Sequence, residues 1–155
     1  GKALKVNTVL RSLSLHGNPV GDSGAKALAN ALGSNQALRT LSLHGALITD
    51  EGAEHLAMAL EANATLSELC LGHNAVADRG AACFAMMLEV NNDLRELRLE
   101  ANGIGDLGGS RLAQALELNR GLAELWLLEN PIGAAGLKVF AEALRKNRQL
   151  SRLGL

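Results

Sequence analysis

Apolar and polar positions repeat along this chain with a single period. LRSLSLHGNPV starts at Leu10. The same pattern returns as LRTLSLHGALI at Leu38, LSELCLGHNAV at Leu66, LRELRLEANGI at Leu94 and LAELWLLENPI at Leu122. LSRLGL follows at Leu150, so the starts fall at 10, 38, 66, 94, 122 and 150, a step of 28 with no insertion. Within one unit, Leu97 and Leu99 alternate with Glu96 and Arg98. Period two predicts a strand with one buried face. Asn18, Asn74, Asn102 and Asn130 follow the strands. An Asn there is expected to bond turn backbone of its own and the adjoining unit. Ala46 breaks this column and predicts a weaker turn in the second unit.

A helical pattern comes next in every unit. Leu28 and Leu32, Leu56 and Leu60, Phe84 and Leu88, Leu112 and Leu116, and Phe140 and Leu144 are spaced i, i+4, which predicts one buried stripe. Asp22, Asp50, Asp78 and Asp106 stand at the helix starts and are expected to N-cap them, a cap that Ala134 lacks. Gly24, Gly52, Gly80, Gly108 and Gly136 recur in the first turn. Glycine there costs stability, so it predicts close packing against the next unit. Asn35, Asn63, Asn91, Asn119 and Asn147 end the helices, where Asn tolerates a C-terminal turn. Met58, Met86, Val90, Leu107 and Leu118, off the main stripe, read as boundary core.

A strand–turn–helix unit cannot bury its own apolar face, and stacking supplies the partner. The expected fold is α/β: a curved solenoid, or horseshoe, with parallel strands about 4.8 Å apart on the concave face and the wider helices on the convex face. Residues 1–155 form one domain in this reading. It has a partial repeat at 1–9, full repeats at 10–37, 38–65, 66–93, 94–121 and 122–149, and a partial repeat at 150–155. Neither end has the polar outer face of a capping repeat, which predicts a fragment of a longer array and end-to-end self-association through uncapped ends.

The recurring LxxLxLxxNxL pattern is similar to the leucine-rich repeat signature. Its length and full helix resemble the ribonuclease-inhibitor-like class. LKVN (Leu4 to Asn7), GDSGAKALANAL (Gly21 to Leu32) and the Asn closing each helix resemble the arrays of NOD-like receptors. Ribonuclease inhibitor itself is less similar, being cysteine-rich with two alternating repeat lengths. The resemblance implies a cytoplasmic, non-catalytic ligand-sensing or autoinhibitory module in innate immunity. In such receptors it is attached to an ATP-binding oligomerisation domain, and no GxxxxGK[ST] occurs in this chain. The same repeat class implies an alternative, regulation of a small GTPase or of actin capping. The strongly acidic tail of the Ran GTPase-activating protein is not present.

Charge narrows the partners. Net charge is −1, without the basic surplus of a nucleic-acid binder. No apolar run approaches the length of a membrane span. Two cysteines make no disulfide framework, and there is no HExxH, phosphate loop or oriented Ser-His-Asp set. A protein partner, without cofactor, nucleic acid or membrane, is the expectation.

Register then assigns the outward positions of the concave face. One column is Ser12, Thr40, Glu68, Glu96, Glu124 and Arg152; the next is Ser14, Ser42, Cys70, Arg98, Trp126 and Gly154; the third is His16, His44, Gly72, Glu100 and Leu128. Trp126, the only tryptophan, alternates with Leu125 and Leu127 and therefore faces outward beside Leu128. The candidate binding residues are Trp126, Leu128, Glu124, Arg98, Glu96, Glu68, Glu100 and Arg152. Adjacent like charges at Glu68, Glu96 and Glu124 are unfavourable in a sheet, and Arg98 and Arg152 are the expected offsets. His16, His44, Cys70 and His73 also fall close together. With no carboxylate in the first two rungs of their column, they read as surface groups rather than a metal site.

Overall fold

Strand and helix alternate without exception in the computed structural model, which describes residues 1–155. The order is α1 (Lys2–Val6), β1 (Ser12–Ser14), α2 (Gly21–Leu32), β2 (Thr40–Ser42), α3 (Asp50–Leu60), β3 (Glu68–Cys70), α4 (Asp78–Val90), β4 (Glu96–Arg98), α5 (Asp106–Leu118), β5 (Glu124–Trp126), α6 (Ala134–Lys146) and β6 (Arg152–Gly154). The strands form one open parallel sheet in the order β1 to β6. Each residue pairs with its equivalent one repeat away: Leu41 with Leu69, Leu69 with Leu97, Leu97 with Leu125. The helices pack side by side behind it, and none is long and apolar enough to cross a membrane. Between the two layers runs one core, with a strand leucine from each inner repeat (Leu41, Leu69, Leu97, Leu125) facing helix residues such as Leu60, Phe84, Leu88, Leu116 and Phe140.

The asparagines at the helix ends are the buried polar residues of the fold. They do not take the left-handed turn their position suggested: Asn91, Asn119 and Asn147 are extended, with φ of −84°, −65° and −69°. Their side chains instead tie repeats together. Asn91 Nδ2 donates to Leu60 O (2.6 Å) and Asn63 O (3.0 Å) of the preceding repeat. Its Oδ1 accepts from Asp93 N and Leu94 N, both at 2.9 Å. Asn35, Asn63, Asn119 and Asn147 repeat this arrangement. A buried amide with all its partners is stabilising, and one without them is costly.

A second ladder lies at the strand exits. Asn74 Nδ2 donates to Leu43 O, Leu71 O and Gly72 O, while its Oδ1 accepts from Ala46 N and Ile48 N. Asn102 and Asn130 do likewise toward Val76 N and Ile104 N. Ala46 has no such oxygen to offer. Val20 N, the amide it would serve, turns to Asn18 O at 2.7 Å. Leu47 beside it is left-handed at φ 59°. The gap thus perturbs the first turn as well as the second.

The aspartates do not cap their own helices. Each accepts from the start of the following one. Asp22 Oδ1 takes Thr49 N (2.8 Å) and Gly52 N (3.0 Å); Asp50 takes Ala77 N and Gly80 N; Asp78 takes Gly105 N and Gly108 N; Asp106 takes Gly133 N and Gly136 N. So α6, which begins with Ala134, is capped after all, from Asp106. The recurring glycine has the same cause, and the neighbour it approaches is the preceding repeat, not the next. A Cβ on Gly52 would lie 2.5 Å from Asp22 Oδ1, and one on Gly108 2.8 Å from Asp78 Oδ1.

Burial alone would raise the Asp22 pKa. The amide and hydroxyl of Thr49 and the amide of Gly52 overcome it and hold the carboxyl below its ordinary 3.8. A depressed carboxylate contributes stability above its unfolded pKa and loses it as pH falls through the folded one. The stability difference between wild type and Asp22→Asn is therefore expected in full at neutral pH and to shrink below pH 3.8. Thermal melts across that range check this; a constant difference would contradict it.

Each turn also needs a left-handed residue directly before the Asn position. Gly17 and Gly45 fill it in the first two repeats, whereas His73, Ala101 and Glu129 fill it afterwards, at φ 55°, 50° and 58°. A side chain pays roughly 1–2 kcal/mol there. Ala101→Gly is expected to raise stability by about 0.5–1 kcal/mol, after glycine's unfolded-state entropy is deducted. Urea unfolding measures this, and a loss of stability would contradict it. On the helix side, Met58, Met86, Val90, Leu107 and Leu118 are not boundary core but exposed, by 58% to 76%.

Candidate functional site

The outward strand positions form the columns expected from register. Glu68 pairs with Glu96 and Glu96 with Glu124 across the sheet, and Arg98 pairs with Trp126. Every glutamate of the acidic column has a neutralising or donating neighbour. Thr40 Oγ1 donates to Glu68 Oε2 at 3.1 Å, Arg98 Nε donates to Glu96, and Arg152 Nη1 donates to Glu124 Oε1 at 3.0 Å. Arg98 and Arg152 thus offset the repulsion as their positions predicted. The Glu96 hydrogen bond raises the Arg98 pKa above its ordinary value against the effect of burial. These exposed pairs contribute little to folding. They leave a face on which acidic and basic side chains lie side by side.

Trp126 is half-buried on this face, not in the core. The Arg98 guanidinium carbon lies 5.5 Å from its ring centroid, within cation–π range. On the other side is Gly154, where a Cβ would come within 2.8 Å of Trp126 Cε3 and 2.5 Å of Leu128 Cδ1. The absence of a side chain there lets the indole and Leu128 settle across the sixth strand. Leu128 stays 41% exposed, while its neighbours Leu125 and Leu127 are buried. Trp126 and Leu128 therefore make one apolar patch bounded by Arg98, Glu124 and Arg152. Two buried side-chain polar atoms lack a hydrogen-bond partner in the chain, Trp126 Nε1 and Glu100 Oε2. Both belong to this face, on adjacent repeats.

In the third column, Glu100 leans over Gly72 toward the second repeat. A Cβ on Gly72 would meet Glu100 Oε1 at 2.6 Å and His44 Nδ1 at 3.0 Å. The His16 and His44 rings stack at 4.4 Å, and His73 lies tilted against His44 at 4.6 Å. Cys70 is a half-buried free thiol beside them. The sequence signal that would have found this was present: a glycine in a column of large polar residues marks a gap that a flanking side chain can cross.

Four segments, residues 6–29, 34–57, 62–85 and 90–113, match the family model described as Leucine Rich repeat. Their starts have the same 28-residue spacing as the sheet register. The chain belongs to the leucine-rich repeat family. The fifth full repeat and β6 extend this array on the same sheet. No curated protein sequence matches it significantly. Among solved structures, the repeat array is similar to Leiomodin-1 Actin-Binding Site 2, at 20% identity and a TM-score of 0.75, covering 94% of this chain and 85% of that one. It is also similar to a tropomodulin C-terminal domain from Caenorhabditis elegans, at 19% identity and a TM-score of 0.74, covering 94% and 89%. At these identities the likeness is one of fold.

Proposed function

We propose that residues 1–155 act as one non-catalytic protein-interaction unit that docks a protein segment on its concave face. Trp126 and Leu128 are the apolar anchor. Glu68, Glu96, Glu100, Glu124, Arg98 and Arg152 surround it and select the partner's charges. The observation that carries this reading is the coincidence on one face of the half-buried Trp126, the exposed Leu128 and both unpartnered buried polar atoms. Tryptophan and arginine are among the residue types that dominate binding energy at protein interfaces. The resemblance to NOD-like receptor arrays gives the finer reading, a ligand-sensing or autoinhibitory module in such a receptor.

A second reading, actin binding in the manner of a capping regulator, is favoured by the fold likeness to an actin-binding site of Leiomodin-1. Two experiments separate these. A photo-crosslinking residue is placed at position 128 or, on the helix side, at position 58, and each protein is exposed to cell extract. Adducts from position 128 support concave docking, and adducts from position 58 alone overturn it. Calorimetric titration with purified monomeric actin then decides the partner class. Heat of binding that Trp126→Ala abolishes supports the actin reading, and no binding to actin removes it.

A further inference from the structure

Beside the third concave column three ligand types come together, of which the docking reading uses only Glu100. One of the ring nitrogens of His44, the Cys70 Sγ and a Glu100 carboxylate oxygen lie within 4.8 Å of one another. They come from three successive repeats, and Gly72 is what lets them meet. Any side chain at 72 would stand between Glu100 and His44. Glu100 Oε2 is buried at this point without a hydrogen-bond partner. A carboxylate oxygen in that position lacks a cation or donor to compensate its desolvation.

We propose that His44, Cys70 and Glu100 bind a divalent transition-metal ion of the zinc class. One coordination position is left open toward the concave groove. Imidazole, thiolate and carboxylate together are the ligand set of zinc-class ions; calcium and magnesium take oxygen only. Tetrahedral ligands on zinc stand roughly 3.3–3.6 Å apart, so the three groups close by about an ångström on binding. The three are half-buried side chains at or just past strand ends, and such a contraction needs rotamer adjustment rather than backbone movement.

Cys70 is a free thiol, so binding replaces its S–H bond by a sulfur–metal bond and releases one proton to solvent. The thiolate and the Glu100 carboxylate then neutralise the two charges of the ion. His16, stacked on His44, and His73, tilted against it, hold its ring in place.

The test uses the whole reduced chain and cobalt(II), whose thiolate complexes absorb in the near ultraviolet. Titration is expected to give a charge-transfer band that saturates at one ion per chain and is displaced by zinc. Cys70→Ser should abolish the band, while Cys83→Ser, at the other free thiol, should leave it. Glu100→Gln should weaken cobalt binding at least about tenfold, and Gly72→Ala, by filling the gap, should do the same. Circular dichroism confirms that each variant is folded; if Cys70→Ser is not, Glu100→Gln carries the same decision. No band in excess cobalt, or a band that survives both Cys70→Ser and Glu100→Gln, overturns the site. Trp126→Ala should retain the band, so failure of the docking reading and failure of the metal site are told apart.

Discussion

Asn91→Ala lowers the unfolding free energy by about 3–5 kcal/mol, a loss expected equally at the equivalent asparagines of the inner repeats and larger than at the exposed polar side chains. The residue is 4% exposed and makes four hydrogen bonds, to Leu60 O, Asn63 O, Asp93 N and Leu94 N. Alanine leaves two backbone amides and two carbonyls under-satisfied, three of the four in buried hydrogen bonds and the Asp93 amide part-buried. Each such buried group costs roughly 1–3 kcal/mol, with partial relaxation reducing the sum. Asn18→Ala is the control. Asn18 is exposed and donates only to Leu15 O and His16 O within its own turn. Its loss should stay below about 1 kcal/mol. Urea denaturation of both variants measures the contrast, and equal losses would contradict the burial argument.

Asp78→Ala is expected to cost about 2–3 kcal/mol. Its Oδ1 accepts from Gly105 N at 2.7 Å and Gly108 N at 2.9 Å, both charge-assisted and both at the start of the next helix. The position of the damage is as diagnostic as its size. Amide exchange should accelerate at Gly105 and Gly108, ahead of and within α5, and not at the start of α4, where Asp78 itself sits. Faster exchange confined to α4 would mean that the aspartate caps its own helix.

That distinction marks where the sequence stops being informative. The alternation of Leu97 and Leu99 with Glu96 and Arg98 fixes which side chains face inward, because a strand has only two faces. The uninterrupted 28-residue step then fixes register, since a slip of one residue would invert every strand. Hence the outward columns, Trp126 included, were readable from letters alone. The aspartate and asparagine columns were equally visible, but their partners were not. Asp78 stands at the start of one helix and is equally near, in space, to the start of the next. Only the offset between stacked repeats decides between them. The left-handed position was hidden for a different reason. Glycine announces it at Gly17 and Gly45, and then His73, Ala101 and Glu129 accept the same strain without announcing it. Glu100 is a third kind of case. Its column was assigned correctly, yet its direction depends on the empty space over Gly72, a property of two repeats together.

The same reasoning makes Trp126 a good probe of function. It is the only tryptophan in a chain with no tyrosine, and it lies outside the core, so it can be removed without opening a cavity beneath the strands. The decisive measurement is the affinity of wild type and Trp126→Ala for the partner crosslinked at position 128, taken alongside their unfolding midpoints. Concave docking predicts an affinity loss of about 30-fold or more, equivalent to roughly 2 kcal/mol, with only a small shift in midpoint. Unchanged affinity, with the partner still held by a folded Trp126→Ala chain, would contradict it.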